Sequence, residues 1–115
     1  MQIKKLADDY GVIAECSRIL PEEYHSALIE AIAELEDNNN YITKDFPKTR
    51  LHKVTGIKWN VYRADIDKIS GWRLHVKFGQ DDQRIHLCQV VEGQNHDEVV
   101  KVIKRQKERF KKKEL

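Results

Sequence analysis

The 115-residue sequence has the length of one globular domain, and its 40% apolar and 35% charged residues exclude a disordered chain and a membrane-embedded one. Its net charge of +2 conceals an uneven distribution, because residues 1–47 contain four Lys/Arg and ten Asp/Glu, whereas residues 48–115 contain 17 and nine. Only the second half of the chain therefore has the positive charge that attracts a nucleic-acid backbone.

The two cysteines have no CxxC spacing and do not make a disulfide framework. No apolar stretch follows the N-terminal lysines to form a secretory signal, and no segment approaches the roughly 20 apolar residues that cross a bilayer. We therefore expect a single domain over residues 1–115, located in the cytoplasm and without a membrane segment.

The first half of the chain predicts a short strand and then a helix. Residues 12–19 are a short apolar segment that we assign to a strand, with a helix as the alternative. After Pro21, apolar residues recur at the spacing of one helix face. This stripe consists of Tyr24, Ala27, Leu28, Ala31, Ile32 and Leu35. Residues 37–40 end the predicted helix.

Three segments in the second half alternate with the period of a β-strand, and they are residues 57–66, 71–79 and 84–91. Their inward-facing side chains are Tyr62, Ala64, Ile66, Trp72, Leu74, Val76, Phe78, Ile85 and Leu87. A helix follows, with Val99, Val102, Ile103 and Phe110 inward. The predicted fold is α+β: a small antiparallel meander with an N-terminal helix or helical hairpin packed on one face, and a C-terminal helix.

The register of the last hairpin is predicted from its charged residues, because a slip by one residue would bury them. Paired residue numbers then sum to 161, which sets His75 opposite His86 and Arg73 opposite Cys88. A second register follows for the preceding hairpin. If an odd-length loop or a bulge follows the strand at residues 57–66, that strand places Arg63 near His75 and Asp65 near Arg73.

The outward faces of these strands gather basic side chains around an indole. Arginine and lysine hold phosphates, an indole stacks on a base, and an imidazole moves a proton when a ribose 2′-hydroxyl cleaves RNA without a metal ion. The residues predicted to bind nucleic acid are Lys53, Trp59, Lys77, Arg84 and His86. The alternative is an ordinary solvated face of an antiparallel sheet.

Metal sites are weaker alternatives on the same strands. His75, His86 and Cys88 are three possible zinc ligands, although a cysteine more often packs as a small apolar residue. Asp65 and Asp67 are possible magnesium ligands, although an ion pair between Asp65 and Arg73 is favoured. We therefore expect no metal and no cofactor.

Residues 62–66 read Tyr-Arg-Ala-Asp-Ile, and residues 70–74 read Ser-Gly-Trp-Arg-Leu. Followed by the strand at residues 85–91 and by a glycine-containing turn and helix at residues 93–100, they resemble the second half of the RelE/ParE superfamily of bacterial toxins. The resemblance covers residues 50–102, and the first half agrees only in the order of elements. It implies the fold of these toxins and a small antitoxin partner that covers the sheet or displaces the last helix.

The resemblance also implies site residues. Arg73 matches the arginine that contacts the scissile phosphate in the ribosome-dependent RNases of this superfamily, and Arg63 matches the first basic residue of the preceding strand. The second basic position of that strand falls on Asp65, which reverses the charge.

Two further positions depart from the family pattern. The tyrosine near the chain end falls on Val100, and the arginine before it falls in residues 95–97, where only His96 can titrate. Either His96 or His75 then takes the role of acid or base. The residues predicted to be catalytic are accordingly Arg63, Arg73, His75 and His96.

The function that the resemblance implies is that of a toxin in a type II toxin–antitoxin system, an endoribonuclease that cleaves mRNA in the ribosomal A site (an mRNA interferase). Two alternatives stay open. The first is a ParE-like toxin that inhibits a topoisomerase without cutting RNA, and the second is an inactive relative that binds nucleic acid or protein. The acidic first half and the missing tyrosine favour the inactive relative.

Overall fold

The computed structural model describes residues 5–79, 84–93 and 96–110, without the side chains of residues 96–98 and 107. A five-stranded sheet has the strand order β1-β5-β4-β3-β2, in which β1 runs parallel to β5 and all other neighbours are antiparallel. The α+β prediction is confirmed. In chain order the elements are β1 (Lys5–Ala7), α1 (Val12–Ile19), α2 (His25–Glu36), α3 (Asn38–Thr43), β2 (His52–Lys53), β3 (Tyr62–Asp65), β4 (Arg73–Phe78), β5 (Arg84–Val91), α4 (His96–Arg105) and α5 (Lys107–Phe110).

The segment assigned to a strand at residues 12–19 is helix α1, so that prediction is wrong. The Asp8 carboxylate accepts hydrogen bonds from the backbone amides of Val12 (2.6 Å) and Ile13 (2.9 Å), which caps the first turn. Val12 and Cys16 are the two buried residues of the helix, at the i, i+4 spacing of one helix face. The N-terminal strand of the sheet is instead the three-residue β1.

Helices α1, α2 and α3 cover one face of the sheet and enclose the larger core. The predicted stripe of α2 supplies Leu28, Ala31 and Leu35 to the interior, which confirms that helix. All of the apolar strand residues predicted to face inward lie in this core or pack against it. Burial of the apolar side of each strand therefore fixes which side chains point away from α1 and α2.

The register between β4 and β5 differs from the prediction. His75 pairs with Gln89, while Val76 pairs with Leu87, so Cys88 has no opposite residue. The predicted pairs of His75 with His86 and of Arg73 with Cys88 are therefore wrong. On the turn side of the bulge the register is already two residues from the prediction, because Val76 pairs with Leu87 where a sum of 161 requires Ile85. The bulge adds one more residue. A bulge of this kind places two consecutive residues on one face, which a strict period of two does not reveal.

The register between β3 and β4 is the predicted one, with Arg63 opposite His75 and Asp65 opposite Arg73. The expected bulge lies just after β3, where two consecutive amides, those of residues 66 and 67, both donate to the carbonyl oxygen of Trp72. The polar residues of β3 and β4 consequently share one face of the sheet.

Helices α4 and α5 pack on that second face, which was predicted to be exposed to solvent. They enclose a second core of Val54, Val61, Cys88, Val99, Ile103 and Phe110. Arg109 connects α5 to the sheet through a hydrogen bond, which its Nη1 donates to the Cys88 carbonyl oxygen at 2.7 Å. Only part of the second face therefore remains open. None of the described helices is long and apolar enough to span a bilayer.

Candidate functional site

Two rows of polar side chains cross the open part of the second face. The first row consists of His52, Arg63, His75 and Gln89, which are successive register partners on β2, β3, β4 and β5. Side chains directly opposite each other in antiparallel strands point to the same face and lie close together. We call this set the imidazole row.

A second row lies two residues further along the strands and consists of Arg50, Asp65 and Arg73. Asp65 is buried, and its Oδ2 accepts hydrogen bonds from Arg50 Nε at 2.7 Å and Arg50 Nη2 at 2.5 Å. Its Oδ1 lies 3.7 Å from Arg63 Nε. We call this set the guanidinium row. With Arg63, three guanidinium groups face a single carboxylate, which leaves a local charge of +2.

The predicted ion pair between Asp65 and Arg73 is not formed, since the carboxylate oxygens face Arg50 and Arg63. Arg73 Nε donates instead to the Gly71 carbonyl oxygen at 3.0 Å. Partial burial, followed by the charge of Arg63, lowers the pKa of Arg73, and Asp65 opposes this effect. The guanidinium of Arg73 is therefore held beside other cations without a carboxylate of its own, which suits it to an anionic ligand.

A close contact between two glycines positions Arg73. Gly71 has a φ of +83°, and a Cβ placed on it would overlap Gly93 Cα and lie 3.0 Å from Gly93 N. Gly93 lies three residues before α4. The contact therefore holds the segment that leads into α4 against the loop that precedes Arg73, which explains the glycines at both positions.

His75 is completely buried, contrary to its predicted exposure. Its Nδ1 lies 2.7 Å from Gln89 Nε2. Burial, and then the charges of Arg73 and Arg63, lower the pKa of His75 to about 3, so the ring is neutral near pH 7. With the Gln89 amide donating to Nδ1, the neutral ring has its proton on Nε2. His75 therefore does not titrate near neutrality as the sequence suggested.

Two buried nitrogen atoms of the imidazole row have no hydrogen-bond acceptor among the described residues. They are Nε2 of His75 and Nε of Arg63, which belong to directly opposite residues. An unsatisfied buried donor costs about 1–3 kcal/mol, so native proteins rarely keep two side by side without a reason. Both groups suit an incoming acceptor such as a phosphate oxygen.

Three of the predicted nucleic-acid-binding residues lie away from these rows, toward β1. His86 is buried, with Nδ1 3.1 Å from Asp9 Oδ2. Lys77 Nζ lies 6.0 Å from the centre of the Tyr10 ring, and Arg84 is exposed at the start of β5. The single surface predicted for all basic residues is therefore divided.

Trp59 lies in a third place, an open cleft of about 660 Å³ that is also lined by Gly56, Ile57, Lys58 and Lys104. Lys58 Nζ is 5.4 Å from the centre of the indole ring. Lys53 is exposed on β2. His96 begins α4, and its side chain lies outside the described residues, so its predicted role stays a prediction.

The described residues contain no group of three His, Cys, Asp or Glu side chains arranged to hold a metal ion. Burial is the main cause that raises the pKa of the Cys88 thiol to about 12, so it is a neutral thiol near pH 7. Cys88 packs in the second core, and His86 contacts Asp9, so these two residues are not arranged with His75 as zinc ligands.

Arg50, His52 and Gln89 belong to the site but were not predicted from the sequence. β2 has only two residues and shows no recognisable alternation by itself, although Arg50 and His52 flank the apolar Leu51 with the period of a strand. Gln89 was missed because the bulge at Cys88 moves it to the polar face. Extending the strand pattern back to residue 50 would have found the first two.

His75 makes stability depend on pH. Its pKa is about 3 in the folded chain and near 6.5 in the unfolded chain, so the unfolded state binds more protons between these values. The free energy of unfolding should therefore fall as pH decreases from about 6.5 to about 3, by at most about 1.4 kcal/mol per pH unit. Urea denaturation at pH 7 and pH 5 should show that the free energy of unfolding falls less between these pH values for His75→Gln than for the wild type. Equal losses would refute this role of His75.

Asp65 should stabilise the fold while weakening anion binding. Asp65→Asn is expected to lower the free energy of unfolding by about 2 kcal/mol, because Arg50 and Arg63 lose their counter-charge. The half-exposed side chain of Arg50 limits the loss. RNA affinity at low salt should rise at the same time, which fluorescence anisotropy measures. Asp45→Asn, at an exposed position, is the control, and an Asp65→Asn variant with weaker RNA binding would contradict the prediction.

No protein-family model matches the sequence, and no curated protein does. A comparison with solved structures finds a chain in the crystal structure of the archaeal RelE–RelB complex from Pyrococcus horikoshii OT3. The two chains are 16% identical and superpose with a TM-score of 0.58 over 82% of this chain and 99% of the other. This protein therefore has the RelE-like fold that its sequence resemblance implied.

Proposed function

We propose that this chain is the toxin of a type II toxin–antitoxin pair and that it cleaves mRNA on the ribosome without a metal ion. The guanidinium row carries the proposal. Arg50 and Arg63 face the Asp65 carboxylate on the open part of the sheet face, and Arg73 lies beside them without a carboxylate partner. Buried Nε of Arg63 and Nε2 of His75 have no hydrogen-bond acceptor among the described residues. Such a site fits a phosphodiester better than it fits a neutral or cationic ligand.

The proposed chemistry is attack by a ribose 2′-hydroxyl on the adjacent phosphorus. The products are a 2′,3′-cyclic phosphate and a free 5′-hydroxyl. Negative charge grows on the non-bridging oxygens in the transition state, where Arg63 and Arg73 stabilise it. His75 donates a hydrogen bond from Nε2 and exchanges no proton, because its ring stays neutral. His96 stays a candidate for protonating the leaving oxygen.

An antitoxin partner belongs to this proposal, because an unrestrained ribonuclease would harm its own cell. The similar archaeal chain was crystallised in a RelE–RelB complex. We expect the partner to cover the guanidinium row with an extended or helical segment. A short reading frame beside the gene, whose product binds this chain and stops cleavage, would support the pairing.

A second candidate is a toxin of the same fold that inhibits a topoisomerase and cuts no RNA. Val100 in place of the family's tyrosine and the neutral ring of His75 favour it, because both remove a proton-transfer group expected in an RNase. Inactive binding of nucleic acid or protein is the third outcome.

The test uses the purified chain and bacterial ribosomes programmed with a defined mRNA. The proposal predicts cuts at the A-site codon, mapped by primer extension, with 2′,3′-cyclic phosphate ends. A gyrase supercoiling assay is run with the same preparation. Gyrase inhibition without RNA cuts would establish the second candidate, and neither activity together with harmless overexpression would establish the third.

A further inference from the structure

We infer that His52 is a catalytic residue of the proposed cleavage, with its Nε2 removing the proton from the attacking 2′-hydroxyl. The inference rests on the proposed function and assigns its missing base. His52 belongs to none of the sequence motifs that suggested an RNase. It is identified by its place at the open end of the imidazole row.

A backbone hydrogen bond sets the tautomer of His52. Its Nδ1 lies 2.7 Å from the Arg50 carbonyl oxygen. A carbonyl oxygen only accepts hydrogen bonds, so Nδ1 carries the proton and the neutral ring has a lone pair on Nε2. His52 is exposed, and its Nε2 has no partner in the described part of the chain. A free imidazole nitrogen at the surface is the form that a general base needs.

Arg50 links His52 to the guanidinium row. Its carbonyl oxygen holds the His52 ring, while its guanidinium binds Asp65. Arg50 also has a φ of +47°, a left-handed conformation that residues other than glycine rarely adopt. Backbone outliers of this kind concentrate at functional sites. In this conformation the carbonyl oxygen of Arg50 binds the His52 ring while its guanidinium binds the Asp65 carboxylate.

The two imidazoles of the row have opposite hydrogen-bonding roles. His52 and His75 are the register partners of Arg63 on its two sides. His52 offers an acceptor at Nε2, whereas His75 offers a donor at Nε2. A phosphate bound at Arg63 would therefore have a base on the open side and a hydrogen-bond donor on the buried side. Both roles accelerate RNA cleavage by a 2′-hydroxyl.

The charged groups that face His52 are Arg50 from its own segment and Arg63 from β3, with Asp65 beyond them. The two cations attract the phosphate, so the substrate is held beside the His52 ring.

The step balances without a further reagent except water. Nε2 of His52 takes the proton of the 2′-hydroxyl, and the O2′ electron pair forms the bond to phosphorus. The bond from phosphorus to O5′ breaks, and its electron pair leaves with O5′, which takes a proton from water. The resulting hydroxide is neutralised by the proton that His52 releases, so the enzyme returns to its starting form.

The kinetic test compares His52→Ala with His25→Ala on programmed ribosomes under single-turnover conditions. His25 is a matched control, because its Nε2 is also hydrogen-bonded to a backbone carbonyl oxygen, that of Leu20, at 2.9 Å. We expect about a 100-fold lower rate for His52→Ala, partly restored by added imidazole, and an unchanged rate for His25→Ala. The binding of a 2′-O-methyl message should change less than twofold in both variants.

The outcomes separate the two proposals. A wild-type chain that cleaves while His52→Ala keeps its rate, or is not rescued by imidazole, overturns the role of His52 alone. A wild-type chain that does not cleave overturns the ribonuclease function and this inference with it. Two-bond ¹H–¹⁵N NMR spectra provide a readout besides activity. They should show neutral His52 protonated on Nδ1 and His75 protonated on Nε2, and the reverse tautomer at His52 would refute the assignment.

Discussion

Arg73→Ala should lower the rate of mRNA cleavage by about 100- to 1000-fold, since loss of one preorganised donor to a developing anion has effects of this size. The partly buried guanidinium forms no ion pair with a carboxylate and lies beside other cations, so a bound phosphate should be its main electrostatic partner. Expression of the variant should no longer arrest growth. Cleavage is measured by primer extension under single-turnover conditions, and urea denaturation shows that the variant is folded.

Two matched variants complete this experiment. Arg73→Lys retains the charge but not the forked donor, so it should recover only a small part of the rate. Arg18→Ala removes an exposed arginine from the end of α1 and should change nothing. Toxicity of Arg73→Ala equal to that of the wild type would contradict the ribonuclease assignment.

Gly71→Ala should lower the free energy of unfolding by at least about 3 kcal/mol, since a left-handed backbone and an overpacked contact both carry a penalty at this position. A Cβ on Gly71 would meet the backbone of Gly93, which has no flexible side chain that can move aside. Urea denaturation measures the loss. The segment that leads into α4 should separate from Arg73 at the same time, so cleavage falls as well.

Gly11→Ala is the control for the backbone penalty by itself. Gly11 has a φ of +68°, but a Cβ placed there would have nothing within 4 Å. We expect a loss of about 1 kcal/mol. If Gly71→Ala were no more destabilising than Gly11→Ala, the glycine contact would not position the site.

The strand pattern was sufficient to predict the sheet side of the larger core. Alternation in β3, β4 and β5 identifies the side chains that face α1 and α2, because a strand that is half buried must separate its two faces. The register of β3 against β4 follows from the same requirement. For this reason the positions of Arg63 and Arg73 on one face could be predicted.

The remaining parts of the fold depend on information that is not local. The bulge at Cys88 has no signature in the alternation, and neither does the two-residue shift of the pairs from Val76 to Phe78 on its turn side. The segment at residues 12–19 is short enough to fit either period, and the Asp8 cap decides in favour of a helix. The cover of the second face by α4 and α5 depends on tertiary packing.

The candidate site, like the fold, could be predicted only in part from local sequence patterns. Asp65 replaces a basic residue of the family pattern, and this loss of a cation is compensated by Arg50, a residue that the pattern does not include. His75 was identified by its residue type, but its burial gives it the role of a donor instead of a titrating group. Compensation of this kind depends on register partners and burial, which no sequence spacing reports.

The most direct measurement is a structure of the protein on a ribosome with an mRNA that carries a 2′-O-methyl group in the A-site codon and cannot be cleaved. We expect a phosphodiester bound by Arg73 and Arg63, with the modified ribose oxygen facing Nε2 of His52. An mRNA located only at the Trp59 cleft or beside Lys77 and His86, with the guanidinium row empty, would contradict it.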